Sequence, residues 1–129
     1  MLFRSASLHP QISIIACETV RDSDGLALSS RNVRLNSNNR DVAKIISIAL
    51  RSARGVNGIP TKLKVLRETL MSESRFNLDY AEIIDGESFE IATDETKNQR
   101  AIVAGWVDGV RLIDTMAMNP IHENVLVSR

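Results

Sequence analysis

Thr19-Val20-Arg21-Asp22-Ser23-Asp24-Gly25-Leu26-Ala27-Leu28-Ser29-Ser30-Arg31-Asn32 is a polar stretch set between an apolar, strand-like run and an amphipathic, helix-like one. Asp24-Gly25 supplies a turn, because Gly tolerates positive φ and Asp hydrogen-bonds to nearby backbone. After Leu26-Ala27-Leu28 come two hydroxyls, a guanidinium and a carboxamide in succession. Ser29 and Ser30 can each donate to an anionic oxygen, and Arg31 presents a planar fork of donors whose charge does not titrate near neutrality. That is the composition of a phosphate-binding loop. It is also the composition of a capped, solvated loop, and residue types alone leave both readings open.

Upstream, Ile12-Ser13-Ile14-Ile15-Ala16-Cys17 is short, β-branched and apolar, as in a buried strand. Met1 to Pro10 has no clear period, and His9-Pro10 favours extended or turning backbone. Downstream, Asn38 with Asp41 three positions on reads as a helix N-cap with an acidic reciprocal partner. Val42, Ile45, Ile46, Ala49 and Ala53 then fall on one helical face, which predicts a helix of about four turns ending near Gly55. Gly55 to Gly58 is a loop. Pro60 can open a second helix, where its missing N–H is not needed. The apolar stripe of that helix is Ile59, Leu63, Leu66 and Leu70, with Met71 assigned to the core, and Lys62, Lys64, Arg67 and Glu68 form a solvated face.

From Leu78 the pattern becomes strand-like, with Leu78 to Asp85 as one strand and Ser88 to Ile91 as a weaker edge segment. Thr93 to Gln99 is a polar loop. Ala101 to Val107 is nearly continuous apolar sequence, which suits a central strand covered on both faces. Asp108-Gly109 is a two-residue hairpin signal, with Val110 to Met116 returning antiparallel. Trp106 is expected in the core of this sheet, a stacking platform being the lesser reading. The result is an α+β fold, a small antiparallel β-sheet packed against two main α-helices. Pro120 to Arg129 reads as a frayed tail.

The chain has 129 residues, one domain's worth, large enough for a modest core. Lysine plus arginine and aspartate plus glutamate both number 16, so no global basic field attracts nucleic acid. A single cysteine, Cys17, cannot form an internal disulfide, and with two distant histidines, His9 and His122, it offers no metal-ligand spacing. Cys17 ends an apolar run and reads as a buried structural thiol in a reducing, cytoplasmic setting. No apolar run is long enough to cross a membrane, and Met1 to Ala6 lacks the extended apolar core of a secretory signal.

Thr19-Val20-Arg21, then Asp24-Gly25-Leu26-Ala27-Leu28-Ser29-Ser30-Arg31-Asn32 and Leu35, resemble the segment that opens the C-terminal domain of the pantothenate synthetase (pantoate-beta-alanine ligase) family. Two later landmarks follow in the family's order, Asp79-Tyr80-Ala81-Glu82-Ile83-Ile84-Asp85 and Arg100-Ala101-Ile102-Val103-Ala104-Gly105-Trp106 through Arg111-Leu112-Ile113-Asp114. The resemblance covers about Ile12 to Met116. That family is itself similar to the class I aminoacyl-tRNA synthetases, and its Ser-Ser-Arg stands where those carry a mobile Lys-Met-Ser-Lys-Ser loop.

The resemblance implies the lid domain of a ligase that joins pantoate and β-alanine through a pantoyl adenylate, using ATP and Mg2+ and releasing AMP and pyrophosphate. Residues 1–18 would then be a linker and strand from an N-terminal nucleotide-binding domain, 19–116 the C-terminal domain, and 117–129 a tail. Carried over residue by residue, Val20 touches the adenine side of ATP, and Leu28, Ser29, Ser30 and Arg31 close on its phosphates. Ser29, Ser30 and Arg31 are the catalytic candidates, while Arg21, Asp24 and Asn32 hold the loop's shape. Mg2+ is bound mainly by the N-terminal half, and the present chain supplies no metal ligand. Neither His9 nor His122 matches the family's histidine loop, so the chain alone is expected to be inactive. Three readings follow: a lid that works only with its other half, a non-catalytic module that forms homodimers, or an independent weak nucleotide binder.

Overall fold

Val42, Ala43, Ile46, Ala49, Leu50 and Ala53 recur at helical spacing, and burying them against a sheet organises the whole molecule. A computed structural model describes residues 19–119. The expected strand at 12–17, Cys17, both histidines and the tail at 120–129 lie outside the described residues. A five-residue 3-10 turn, Ser30–Arg34, leads into α1 (Ser37–Arg54) and α2 (Ile59–Met71), followed by β1 (Phe76–Asp85), β2 (Gln99–Val107) and β3 (Val110–Ala117). The three strands form one antiparallel sheet in the order β1-β2-β3, with Val103 opposite Ala81 on one side and Asp114 on the other. This is the expected α+β arrangement. The register shifts between Leu78 and Tyr80, a bulge that turns the Asp79 carboxylate to Arg111 at 2.8 Å. Asp108 and Gly109, both at positive φ, make the two-residue turn between β2 and β3.

One apolar cluster joins every element: Leu26 and Leu35 before α1, Ile46 and Leu50 from α1, Leu66 and Leu70 from α2, and Ile83, Val103 and Leu112 from the sheet. Gly58 precedes α2, Pro60 sits in its first turn, and the Asp94 carboxylate caps it by accepting from Ile59 N at 2.6 Å. After β3 the chain stays packed to Asn119, for Met118 is fully buried and its N–H donates to Gln99 O at 2.8 Å. No helix of the described residues is long and apolar enough to cross a membrane.

Five local expectations are corrected. The cap of α1 is Asn36, whose side chain accepts from Asn39 N at 2.8 Å, not Asn38. Capping residues run from Asn36 to Asn39, and the extended backbone at Asn36, where the chain leaves the 3-10 turn, selects among them. The edge strand at Ser88 to Ile91 is reduced to one bridge, Ile84 with Ile91, because the Asp85 carboxylate and carbonyl close a tight turn through Glu87 and Phe89. Lys62 is buried, not solvated. Positions 59, 62, 66 and 70 form the true helical stripe, and the Lys62 ammonium donates to the carbonyl of Val56 at 2.5 Å and lies 3.4–3.5 Å from those of Ala53, Arg54 and Met118. Met71 is 69% exposed, since it lies about 100° around the helix from Leu70. Trp106 is half-buried on the sheet face away from the helices, one residue out of phase with Gly105 and Val107, and Arg111 lies over its ring at 5.0 Å.

Candidate functional site

Residues 20–28 fold back as a short hairpin. Leu28 N donates to Val20 O at 2.9 Å, Asp22 N to Leu26 O at 2.8 Å, and Gly25 N to Asp22 O at 2.9 Å. The turn from Asp22 to Gly25 is closed by a left-handed residue, Gly25, at φ +88°. A Cβ at Gly25 would also stand 2.6 Å from Ser47 Oγ, so the turn lies directly on α1. The Asp24 carboxylate accepts from Leu26 N at 3.1 Å, and this bond, together with the Arg40 guanidinium, holds the Asp24 pKa below its ordinary value against the opposing effect of burial.

Two guanidiniums fasten the hairpin to the domain. Arg21 grips the Asp114 carboxylate on β3 with both terminal nitrogens, at 2.6 and 2.9 Å, and also donates to Gly25 O at 3.1 Å and Thr115 O at 3.2 Å. Arg40 of α1 pairs with Asp22 and, at 3.1 Å, with Asp24. The chain beyond the hairpin is held by Asn32, whose amide donates to Ala27 O at 2.9 Å.

Ser29 is extended and caps the 3-10 turn, its hydroxyl accepting from Arg31 N at 3.2 Å. The capping reading of this serine is therefore realised, and its hydroxyl hydrogen remains available to a ligand. Ser30 and Arg31 follow on the exposed side of the turn. Among the described residues the Ser30 hydroxyl has no partner, and Arg31 has no ion pair but donates to Arg111 O at 3.4 Å. Leu28, Ser29 and Arg31 line a cleft of about 390 Å3 between the 26–32 segment and residues 111–114 of β3, with Ile46 also in its wall. Val20 and Ser30 stand outside that lining. Val20 faces Leu28 across the hairpin, and the two are 67% and 55% exposed.

The cleft therefore has partly apolar walls and is lined by the Ser29 hydroxyl and the Arg31 guanidinium, which no acid among the described residues neutralises, with the Ser30 hydroxyl just outside. The carboxylate that lines it, Asp114, is taken up by Arg21. Such a lining suits an oxyanion or phosphate. No group of three His, Cys, Asp or Glu among the described residues could hold a metal. Arg40, Arg111 and Asp114 complete the site: no local pattern marks Arg40, and Arg111 and Asp114, though within a family landmark, carried no expected role there. Asp114 is 93 residues from Arg21 and Arg111 is 80 from Arg31, so only the pairing of distant segments brings them in.

The family model described as pantoate-beta-alanine ligase matches residues 4–117. Among curated proteins the chain is similar to the pantothenate synthetase of Chelativorans sp. (strain BNC1), 38% identical over 107 residues, which are 80% of this chain and 38% of that protein. It is 37% identical over 112 residues to the pantothenate synthetase of Thermotoga petrophila, covering 83% of this chain and 40% of the relative. The solved pantothenate synthetase of Thermus thermophilus superposes with a TM-score of 0.82 at 33% identity, over 90% of this chain and 44% of that one. A pantoate-beta-alanine ligase from Francisella tularensis, complexed with beta-gamma ATP and beta-alanine, superposes with a TM-score of 0.58 at 28% identity, over 88% and 36% of the two chains. The chain thus spans about two-fifths of the length of the curated relatives it matches.

Proposed function

The chain belongs to the pantoate-beta-alanine ligase family, and from that premise we propose that it is the ATP-closing lid half of such a ligase, active only with a nucleotide-binding half. In this reading residues 19–116 are the ligase C-terminal domain with 117–119 packed on its end, since Met118 is buried, 1–18 join it to the nucleotide-binding half, and the expected tail begins after Asn119. The complete enzyme works in the cytoplasm, where ATP is available. The pantoate carboxylate attacks the α-phosphate of ATP, forming pantoyl adenylate as pyrophosphate leaves. The amine of β-alanine then attacks the acyl carbon, and AMP departs as the amide bond of pantothenate forms.

Negative charge accumulates on the departing pyrophosphate in the first step, and preorganised donors aimed at it are what lowers such a barrier. Ser29, Ser30 and Arg31 fill that role, with Leu28 beside them and Val20 toward the adenine. The observation that carries the proposal is the state of this turn: Arg31 has no ion pair and Ser30 no side-chain partner among the described residues, at the mouth of a cleft next to them. Magnesium fits the chain poorly, because the carboxylate of the cleft is engaged by Arg21, so its ligands come from the phosphates and the other half.

The test is reconstitution. Mixing this chain with a separately produced nucleotide-binding half of a family member should restore pantothenate synthesis from pantoate, β-alanine and ATP, and neither half should suffice. Arg31→Ala should cut the reconstituted rate by about ten- to a hundredfold, the effect of losing a charge-assisted contact of about 1.5–3 kcal/mol. Because Arg31 is exposed, the melting temperature should not move.

A second reading, a non-catalytic module that dimerises, draws on the apolar rim, where Val33 is 88%, Val20 67% and Ile113 55% exposed. It predicts a sedimentation coefficient that rises with concentration and no recovered synthesis in the mixing experiment.

A further inference from the structure

Resting on the lid reading, we infer that Asp114 is a positioning residue: through Arg21 it fixes the hairpin, and with it the Ser29–Arg31 turn, against the edge of β3 before any phosphate arrives.

The four hydrogens on the terminal nitrogens of Arg21 are matched by four acceptors, two on Asp114 and one each on Gly25 and Thr115. One guanidinium thus ties the first arm of the hairpin, its turn and β3 together. The Asp114 side chain is only 4% exposed and is itself oriented by Thr115 N at 2.7 Å. A buried carboxylate held by a bidentate fork permits one arrangement of its partner, whereas a single point contact would allow many. The second arm follows from the first: Leu28 N is bonded to Val20 O, Ala27 O receives the Asn32 amide, and Ser29 begins immediately after. Asp114 also lines the cleft, so its pairing removes a negative charge from the place where phosphate would sit. The ion pair therefore orients the donors and screens the cleft at once.

The test uses the full chain, ATP as probe, and NMR amide shifts of residues 29–32 as readout. Asp114→Asn should weaken ATP binding about tenfold, as expected when the competent arrangement falls to about a tenth of the population. Adding Arg21→Gln to Asp114→Asn should weaken it little further, since the two act as one unit. Ile83→Val, a core truncation on β1 that does not adjoin β3, serves as a stability control and should leave the affinity unchanged. Should Asp114→Asn fail to fold, Arg21→Lys keeps the charge, loses the fork and should weaken binding in the same direction. Equal affinity of wild type and the folded variant overturns the inference, as does an equal loss in Ile83→Val. Absence of wild-type binding at millimolar ATP removes nucleotide recognition by the isolated lid and this inference with it, while reconstitution tests the lid reading on its own.

Discussion

Lys62 shows how one side chain serves the fold in a way its chemistry disguises. It occupies a buried position of the α2 stripe, yet its ammonium gathers carbonyls from the end of α1, the loop after it and the chain beyond β3. Terminal helix carbonyls lack partners within their own helix, and a cation there is doubly suited, as donor and as complement to the dipole. Burial holds the Lys62 pKa below its ordinary 10.5. The unfolded chain keeps the ordinary value, so between the lowered and ordinary values it binds more protons than the folded state. Stability therefore rises with pH through that window and is insensitive to this group below it. Lys62→Met lacks the titration and leaves carbonyls unpaired, so it should be destabilised by about 1–3 kcal/mol at neutral pH. Urea unfolding at several pH values should show the gap to wild type widening as pH rises toward 10.5. A constant gap would mean the ammonium is solvated.

Among the elements, α1 connects the site to the sheet. Its N-terminus receives the chain from the 3-10 turn that carries Arg31, its Arg40 braces the hairpin, and its apolar face covers β2 and β3. Fraying at the start of α1 would therefore be felt by the turn. Asn36→Ala should cost about 1 kcal/mol, the usual worth of an N-cap, whereas Asn38→Ala, exposed and the second residue of the helix, should change stability by a few tenths at most. Thermal melts of the two variants separate them, and equal shifts would place the cap elsewhere. The sequence announced this helix and its buried face clearly, since five apolar residues at helical spacing have no other economical explanation. Its cap was less legible because four adjacent residues are all good capping types.

At the scale of the whole molecule, hairpin, helices and sheet share one apolar cluster, and no element among the described residues keeps a separate core. Such a domain should unfold cooperatively. Trp106, the single tryptophan, reports on the outer sheet face, while far-UV circular dichroism reports chiefly on α1 and α2. Their denaturation curves should coincide in midpoint and slope. Separated midpoints would show that the sheet and helices are independent units and that the domain is not one body.

The sequence by itself determined the α+β class, both helices and the Asp108-Gly109 hairpin, and it marked the serine and arginine segment before the first helix, because each is written in local spacing and turn chemistry. Three ordered landmarks also pointed to the family. Tertiary structure alone decided which side chains support the site and which face is covered. Asp114 and Arg111 reach the loop only through strand pairing, Lys62 is buried only because α1 ends beside it, and Trp106 is displaced from the core by the parity of β2. These outcomes depend on contacts between segments far apart in the chain. Local propensity carries no information about such contacts until the chain has folded back on itself.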